Sequence, residues 1–134
     1  MSIKIFSKRE FLDEAKRKQI SEAIHESMQE ALGLPEGKRF QRFIPLDKND
    51  MVLPGGGEGN YVNVEIMLMS GRAPETKRKL IKSIFKNMKD LAGVETNQVE
   101  IQIIESPHEN WGFRGMTGSE ALGKLNYKIV SSTD

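Results

Sequence analysis

The sequence predicts an α+β fold in which a β-α-β unit occurs twice, giving one mixed four-stranded main sheet, two helices on one of its faces and short edge strands. Two observations predict this fold: an internal repeat, and an apolar pattern within each copy that changes from strand to helix and back to strand. The repeated segments, first copy before second, are residues 3–6 and 62–66, residues 15–32 and 76–92, and residues 39–44 and 99–104. Because the repeat includes both strands and the helix, it indicates a duplicated structural unit.

The first unit begins with a short strand at residues 3–6, followed by a helix from Glu10 to Leu32. Apolar residues recur through the longer segment at helical spacing, which predicts one buried helix face. Gly33 and Pro35 predict the end of the helix, because glycine accepts the left-handed capping conformation and proline cannot continue the helical hydrogen bonding.

The second strand of this unit is predicted at residues 39–46, where apolar and polar residues alternate. Residues 51–54 predict a short edge strand, and the glycine-rich residues 55–60 a flexible turn. A phosphate-binding loop is the weaker interpretation of the glycines, since no lysine and hydroxyl pair follows, Glu58 lies within the run and no helix begins after it.

The second unit begins with the clearest strand, from Tyr61 to Ser70, whose almost continuous apolar character predicts a central position buried on both faces. The second helix is expected to open at Pro74, since proline is favoured in the first turn. Residues 99–105 predict the fourth strand. Parallel strands joined through a helix require right-handed crossovers, so both helices should cover the same face of the sheet.

Composition excludes several classes of function for this chain of 134 residues. The 20 lysines and arginines nearly balance the 19 acidic residues, so we expect no nucleic-acid partner. The absence of cysteine excludes disulfides and thiolate chemistry. No segment reaches the roughly 20 apolar residues that span a bilayer, and the first residues lack the apolar core of a signal peptide. We therefore expect a cytoplasmic protein with no membrane partner, which oligomerises to cover the remaining sheet surface.

Arg72 follows the central strand, at the turn into the second helix. Loops at strand ends commonly build binding sites, and a guanidinium can hold a small carboxylate through two parallel hydrogen bonds. An exposed turn arginine without such a role is an equally good interpretation of the local sequence.

A glycine-punctuated loop after the fourth strand contains the only tryptophan, Trp111, together with Phe113 and Arg114. Large aromatic residues in a loop indicate that they cover something, either a pocket or a neighbouring subunit. Beyond this loop the sequence predicts a final strand, because apolar residues alternate with polar ones. The alternating residues are Leu125, Tyr127 and Ile129.

The two histidines, His25 and His108, predict no metal site, since no second histidine, cysteine or carboxylate pair completes a ligand set. We interpret His25 as a surface or packing residue of the first helix, and His108 as an exposed loop residue that could titrate near neutral pH. The second helix carries a basic face, which we interpret as solvated because no aromatic residues interleave it to stack on bases. Its lysines are Lys77, Lys79, Lys82, Lys86 and Lys89.

The β-α-β duplication, the Gly71-Arg72 turn before Pro74, the stretch ending Arg39-Phe40-Gln41 and the Trp111-Gly112-Phe113 motif together resemble the tautomerase superfamily. The chain is similar to its long, two-unit members, which include malonate semialdehyde decarboxylase. The resemblance implies a single tautomerase-like domain over residues 1–134, with units at about residues 1–54 and 61–118 and a C-terminal strand at about residues 124–130. It also implies a homotrimer with sites near the subunit contacts and no cofactor.

In that family an amino-terminal proline, exposed once the initiator methionine is removed, acts as the general base or acid on small carbonyl acids and enols. Ser2 stands at this position here, and its small side chain favours removal of Met1. The resulting primary α-amine has an ordinary pKa of about 7.7–8.0. Burial or a neighbouring arginine would lower this pKa, leaving an amine that could transfer a proton or form a Schiff base.

The other site residues carried over from the resemblance are Arg72 for the substrate carboxylate and Trp111 and Phe113 for the aromatic pocket wall. We also expect Arg114, next to Phe113, to bind the substrate. Lys38 departs from the family, whose water-activating members have an acid there. The resemblance thus implies proton transfer, such as keto-enol isomerisation, on a small anionic carbonyl or enol compound. The alternative is a member that has kept the fold, lost the chemistry and serves as a small-ligand-binding or structural protein.

Overall fold

A computed structural model describes residues 1–54 and 59–122. Two β-α-β units form its main body. The first contains strand β1 (Ser2–Lys8), helix α1 (Glu14–Leu32) and strand β2 (Gln41–Leu46). The second contains strand β3 (Val62–Met69), helix α2 (Pro74–Ala92) and strand β4 (Val99–Ser106). A hairpin of strands β5 (Gly112–Phe113) and β6 (Met116–Thr117) and the short helix α3 (Gly118–Leu122) follow.

The four longer strands form one mixed sheet in the order β2-β1-β3-β4. Strands β1 and β2 are parallel, as are β3 and β4, while the two units meet through the antiparallel pair β1 and β3. The predicted duplication and the central position of the third strand are therefore confirmed.

Both long helices pack on the same face of the sheet, as predicted. Alternate residues of β1 and β3 point into this layer, which is why Ile3 and Ile5 are buried while Lys4 between them is exposed. The largest fully buried side chains come from both strands and both helices. They are Ile3, Ile5, Ile20, Ile24, Met28, Val62, Val64, Ile66, Leu68, Leu80, Ile84 and Met88.

The opposite face of β3 is only half-buried, at Asn63, Glu65 and Met67, so the prediction of a strand buried on both faces was wrong for this part of it. The run of apolar residues in β3 contains side chains that point to both faces of the sheet, and each face has different surroundings. One face packs against the helices, and the other belongs to a sheet surface that carries no helix among the described residues.

The predicted start of the first helix was wrong by four residues. The helix begins at Glu14 because Asp13, in an extended conformation, caps it, and its carboxylate accepts a hydrogen bond of 2.8 Å from the backbone N–H of Lys16. The helix ends at the predicted place, where Gly33 adopts φ 65°. Helix α2 begins at Pro74 as predicted and ends at Gly93 with φ 66°.

The predicted edge strand at residues 51–54 does not form. A 3-10 turn, Lys48–Asp50, follows β2, and Val52 beyond it is 96% exposed. Among the described residues, the further strands are β5 and β6, which form a separate two-stranded hairpin after the second unit. The predicted final strand, at Leu125, Tyr127 and Ile129, lies outside the described residues.

Candidate functional site

The antiparallel pairing of β1 with β3 places the start of the chain beside the end of the central strand. Ser2 lies opposite Met67, three residues before the turn that leads to α2. Arg72 lies in this turn, which Gly71 makes possible by adopting φ 130°, a conformation that other residues rarely accept. The sheet topology therefore brings the terminal amine and Arg72 to the same edge.

A cavity of about 380 Å³ opens at this edge of the sheet. Every site residue predicted from the sequence lines it: Ser2, Arg72, Trp111, Phe113 and Arg114. The other lining residues are Met1, Leu34, Pro35, Gly37, Lys38, Arg39, Phe40, Arg42, Leu68, Met69 and Gly112. Three loops and the ends of two central strands thus meet around one space that a small ligand could occupy.

The α-amine at the start of the chain belongs to this cavity. Burial lowers the pKa of the Met1 amine below its usual value of 8.0, and the positive charges of Arg72 and Lys38 lower this pKa further. Each cause acts against the ammonium form, since a buried charge loses hydration and like charges repel. The amine therefore holds more of its neutral, proton-accepting form near pH 7 than an exposed terminus does.

Arg72 is held in place by its own turn. Its Nη1 donates a hydrogen bond of 3.1 Å to the backbone carbonyl of Met69, at the end of β3. The side chain is half-buried, so the guanidinium lies at the cavity wall. A guanidinium presents five donors in a planar arrangement and can hold a carboxylate while it keeps a bond to the main chain.

The aromatic wall is fixed by the loop between β4 and β5. The indole Nε1 of Trp111 donates to the carbonyl of Ser106 at 3.1 Å, and the backbone carbonyl of Trp111 accepts from Gly118 at 2.8 Å. Phe113 is the last residue of β5, and its side chain is half-buried. These contacts hold two aromatic side chains at the cavity through strand and loop geometry.

Arg114 reaches the cavity from the tight turn between β5 and β6. Arg114 has φ 54° and Gly115 has φ 75°, so both central residues of this two-residue turn are left-handed. Such turns match the twist of the strands that they join. The left-handed conformation of Arg114 allows the chain to reverse direction between the antiparallel strands β5 and β6.

The far wall is formed by the segment before β2 and by β2 itself. Nη1 of Arg42 donates to the Ser2 hydroxyl at 2.9 Å, and its guanidinium carbon lies 5.9 Å from the centre of the Phe40 ring. Arg39 is engaged elsewhere, in an ion pair of 2.8 Å with Glu22. Among the described residues that line the cavity none is acidic, so the site favours an anionic ligand.

Some residues singled out in the sequence lie away from this cavity. His25 is only 2% exposed and packs within the body of the protein. His108 is exposed, and its Nε2 lies 3.7 Å from Oε2 of Glu109. Among the described residues, no group of three or more potential ligands could hold a metal ion.

The basic face of α2 is an ordinary solvated surface with neighbouring ion pairs. Lys77 pairs with Glu105 at 2.7 Å, Lys86 with Asp90 at 2.9 Å and Lys89 with Glu95 at 3.8 Å.

No helix in the described part of the chain is long and apolar enough to cross a membrane.

The sequence did not point to Met1 or Arg42 as lining residues, and it marked Phe40 only as part of the Arg39-Phe40-Gln41 motif. Arg42 lies in a strand where polar and apolar residues alternate, as they do in many strands. Its place at the cavity follows from the parallel pairing of β2 with β1. The Arg39-Phe40-Gln41 motif was the only signal in the sequence for this wall. It marked the correct segment but not Arg42.

Two sequence comparisons with known proteins both point to tautomerases. The family described as tautomerase enzyme matches residues 38–114, more than half of the chain. The probable tautomerase YrdN of Bacillus subtilis (strain 168) is 23% identical over 118 residues, which cover 84% of this chain and 91% of that protein.

Solved structures share the whole architecture. The FG41 malonate semialdehyde decarboxylase inhibited by 3-bromopropiolate superimposes with a TM-score of 0.81 at 25% identity, covering 96% of this chain and all of that one. The R7 fused 4-OT, an asymmetric trimer, superimposes with a TM-score of 0.79 at 17% identity over 92% of this chain and all of its own.

Proposed function

The chain belongs to the tautomerase family, and on this basis we propose that it transfers a proton on a small carbonyl carboxylate, as in keto-enol isomerisation. The observation that carries the proposal is the burial of the chain's first residues in a cavity that Arg72 and Lys38 also line and that has no acid among its described lining residues; burial and these two cations lower the pKa of the Met1 amine. A general base works best when its pKa lies near the working pH, and burial with two nearby cations moves the amine in that direction.

In this proposal Arg72 binds the carboxylate of the ligand, and the amine takes a proton from the adjacent carbon or returns one to it. The Met69 carbonyl orients the guanidinium, so binding requires little further ordering of that side chain. Trp111 and Phe113 cover the ligand and reduce access of water, which strengthens the electrostatic interactions inside.

Once Met1 is removed, the amine belongs to Ser2, which lines the same cavity, and we expect burial, Arg72 and Lys38 to lower its pKa as they lower that of the Met1 amine. The hydrogen bond from Arg42 then fixes the Ser2 side chain at the cavity wall, and the backbone pairing of β1 with β3 fixes the nitrogen. A primary amine lacks the ring of proline, so this hydrogen bond takes over part of the orienting function that the ring would have.

We also propose that three copies of the chain assemble, as the R7 fused 4-OT does. Support comes from the sheet face opposite the helices, where Ile104 is 42% exposed and Phe6, Ile44 and Met67 are half-buried. A sheet surface that leaves such side chains in contact with water is stabilised by burial against other copies.

The activity is tested by following enol-to-keto conversion of a simple aryl or alkyl 2-oxo acid. We expect the native chain to accelerate it and Arg72→Ala to lower kcat/KM by about tenfold or more, the size expected for loss of hydrogen bonds to a charged group. Arg9→Ala is the matched control, since Arg9 pairs with Asp47 at 2.8 Å at the opposite end of β1.

Equal rates for the native chain and Arg72→Ala would remove the proposed role of Arg72. The Ser2→Pro variant distinguishes a missing base from a missing pocket: activity that appears only in this variant would show that the native amine is not a competent base. If both forms are inactive, the chain is better interpreted as a family member that has kept the fold and lost the chemistry and that serves as a small-ligand-binding or structural protein.

A further inference from the structure

We propose that the hydroxyl of Ser2 is a nucleophile for acyl transfer, and that the chain hydrolyses a small ester that also carries a carboxylate. The α-amine of the same residue, free once Met1 is removed, accepts the hydroxyl proton. This activity goes beyond the proposed proton transfer and shares with it only the cavity and the amine. It depends on a side-chain oxygen that a terminal proline would not have.

The first argument is the position of the hydroxyl group. Ser2 lines the cavity with its side chain half-buried, and the pairing with Met67 fixes its backbone at the edge of the sheet where Arg72 lies. Among the described residues that line the cavity, Ser2 is the only one with a hydroxyl, and none has a thiol. Any oxygen or sulfur nucleophile that those residues offer a ligand is therefore the Oγ of Ser2.

The second argument is the contact that this oxygen makes. Nη1 of Arg42 donates a hydrogen bond of 2.9 Å to the Ser2 Oγ. Because the oxygen is the acceptor in this contact, its own proton stays available for a base. A positive charge beside the oxygen also stabilises the form that has lost this proton. Arg42 thus holds the nucleophile in place and makes its proton easier to remove.

The third argument is the base. In a serine residue two carbon atoms separate the α-nitrogen from Oγ, so the hydroxyl can donate its proton to the nitrogen of its own residue. Inside a chain this nitrogen belongs to an amide and accepts no proton, whereas at the start of a chain it is an amine. N-terminal amines are known to activate threonine hydroxyls in this way. Among the described residues that line the cavity there is no histidine, aspartate or glutamate to act instead.

The surroundings of the amine support this role. Burial is the first cause of the lowered pKa of the Met1 amine, followed by Arg72 and Lys38, and the same causes should act on the amine of Ser2. They increase the neutral form, which alone can take a proton from the hydroxyl. The cationic lining also stabilises the negative charge that develops on the carbonyl oxygen when the hydroxyl attacks.

The reaction balances with water as the only co-reactant. Oγ gives its proton to the amine and attacks the ester carbonyl, which forms a C–O bond and an oxyanion. As the oxyanion collapses, the C–O bond to the departing alcohol breaks, and the alcohol takes the proton from the ammonium. Water then attacks the acyl-serine while the amine accepts a proton from it, and the acid departs as that proton returns to Oγ.

The carboxylate of the substrate follows from the charge of the cavity. Arg72 can bind a carboxylate through two parallel hydrogen bonds, and no acid among the described lining residues repels one. Trp111 and Phe113 provide an apolar wall for the rest of the molecule. These features fit a small aryl ester with one carboxylate.

The test is hydrolysis of 4-acetoxybenzoate by the full chain at neutral pH, measured as release of 4-hydroxybenzoate. Intact-mass measurement comes first, and a chain that keeps Met1 would overturn the proposal because Ser2 then has no free amine. We expect a chain that begins at Ser2 and hydrolyses 4-acetoxybenzoate about tenfold faster than its neutral methyl ester, each corrected for the uncatalysed rate. Equal corrected rates, or no turnover, would overturn the proposal.

The variant Ser2→Ala isolates the hydroxyl, because alanine is also small enough to favour removal of Met1 and leaves a primary amine. It should lower ester hydrolysis by about a hundredfold or more, and Ser2→Thr should restore part of the rate. Undiminished hydrolysis in Ser2→Ala would overturn the proposal. Acetylation of the amine at equal rates in the native chain and Ser2→Ala would also overturn it, since the nitrogen and not the oxygen would then attack.

Two further variants identify the base and the specificity of the effect. Lys38→Met should slow hydrolysis by less than about tenfold, because only its charge acts on the amine. A loss as large as that of Ser2→Ala would assign the base to Lys38 and overturn the role of the amine. Arg9→Ala, whose side chain is 59% exposed and pairs with Asp47, is the control and should hydrolyse the ester at the native rate.

The enol-to-keto assay on the same preparations separates this proposal from the proposed function. Isomerisation requires the amine and not the hydroxyl, so Ser2→Ala should lower it by far less than it lowers ester hydrolysis. Isomerisation by a native chain that does not hydrolyse the ester would overturn acyl transfer alone. Ester hydrolysis without isomerisation would support acyl transfer and overturn the proposed proton transfer.

Discussion

At the scale of single residues, the proposed proton transfer depends on the charge state of the terminal amine. Burial is the largest cause of its lowered pKa, followed by Arg72 and then Lys38. Lys38 contributes to the lowered pKa through its positive charge, and an acid in its place would raise the same pKa. A single change of charge at this position therefore shifts the balance between the ammonium and the neutral amine.

The pKa of the amine should rise when either cation is removed. Arg72→Ala should raise it more than Lys38→Met, and neither should restore 8.0 because burial remains. Competitive labelling of the α-amine across a pH series measures the change, with Lys48→Met, on an exposed turn, as the control. An unchanged pKa in Arg72→Ala would contradict the assigned electrostatic coupling.

The same shift links the amine to stability. Between the lowered folded-state pKa and 8.0 the unfolded chain binds more protons than the folded chain. The contribution of this group to the free energy of unfolding therefore rises with pH across that interval and is constant above it.

The site residues found from the sequence were those in loops with unusual composition. Arg72, Trp111 and Phe113 stand next to glycines at strand ends, where a large or charged side chain needs a reason. Arg42 gave no such signal, because an arginine in a strand is an ordinary residue, and Phe40 was marked only by the Arg39-Phe40-Gln41 motif. The pairing of β1 with β2 and the hydrogen bond from the backbone N–H of Ile3 to the carbonyl of Phe40 place both residues beside the start of the chain.

At the scale of elements, the two copies of the repeat have the same fold but different contacts. Lys16 and Lys77 occupy equivalent positions near the starts of α1 and α2. Lys16 donates to the carbonyl of Ala92 at 2.7 Å, at the end of α2, while Lys77 pairs with Glu105 of β4 at 2.7 Å. A repeat predicts where strands and helices lie, but side chains at equivalent positions make different contacts.

The helix boundaries show the same limit. Both C-terminal ends were predictable because glycine at a left-handed position is a local requirement. The start of α1 was not, since residues 10–12 continue the helical pattern while the cap at Asp13 excludes them. Strand prediction at residues 51–54 failed because short apolar segments without a partner strand do not remain in a sheet.

A buried hydrogen-bonded pair between the helices should matter for stability. Asn87 donates to the Ser27 hydroxyl at 2.9 Å, and Ser27 donates to the carbonyl of Ala23 at 2.7 Å. Ser27→Ala should lower the free energy of unfolding by about 1–3 kcal/mol, because Asn87 is 3% exposed and loses its acceptor. Urea unfolding measures the loss, and Ser83→Ala, on a half-exposed position of α2, should change little.

The double variant Ser27→Ala with Asn87→Leu sharpens this prediction. Removing both partners leaves no buried donor without an acceptor, so the double variant should recover part of the lost stability. A double variant less stable than Ser27→Ala alone would show that Asn87 is needed for its shape and not for this hydrogen bond.

At the scale of the whole molecule, one layer of helices covers one face of a four-stranded sheet. The other face alternates charged and apolar side chains, as Lys4 and Phe6 of β1 illustrate. Its apolar residues lie in neighbouring pairs, since Phe6 is in register with Ile44 and Met67 with Ile104. Such pairs on an open face are suited to packing against the same face of another copy.

Replacing Ile104 with lysine should therefore break the assembly into single chains. Ile104 is 42% exposed in one chain, and burying a charged ammonium at a contact between copies is strongly unfavourable. Leu91→Lys is a closely matched control, because Leu91 is 41% exposed but lies on α2, on the helical side of the sheet. Light scattering during size-exclusion chromatography should give the mass of three chains for the native protein and Leu91→Lys, and of one chain for Ile104→Lys. The same mass for both variants would contradict assembly through this face, and a single-chain mass for the native protein would contradict the trimer itself.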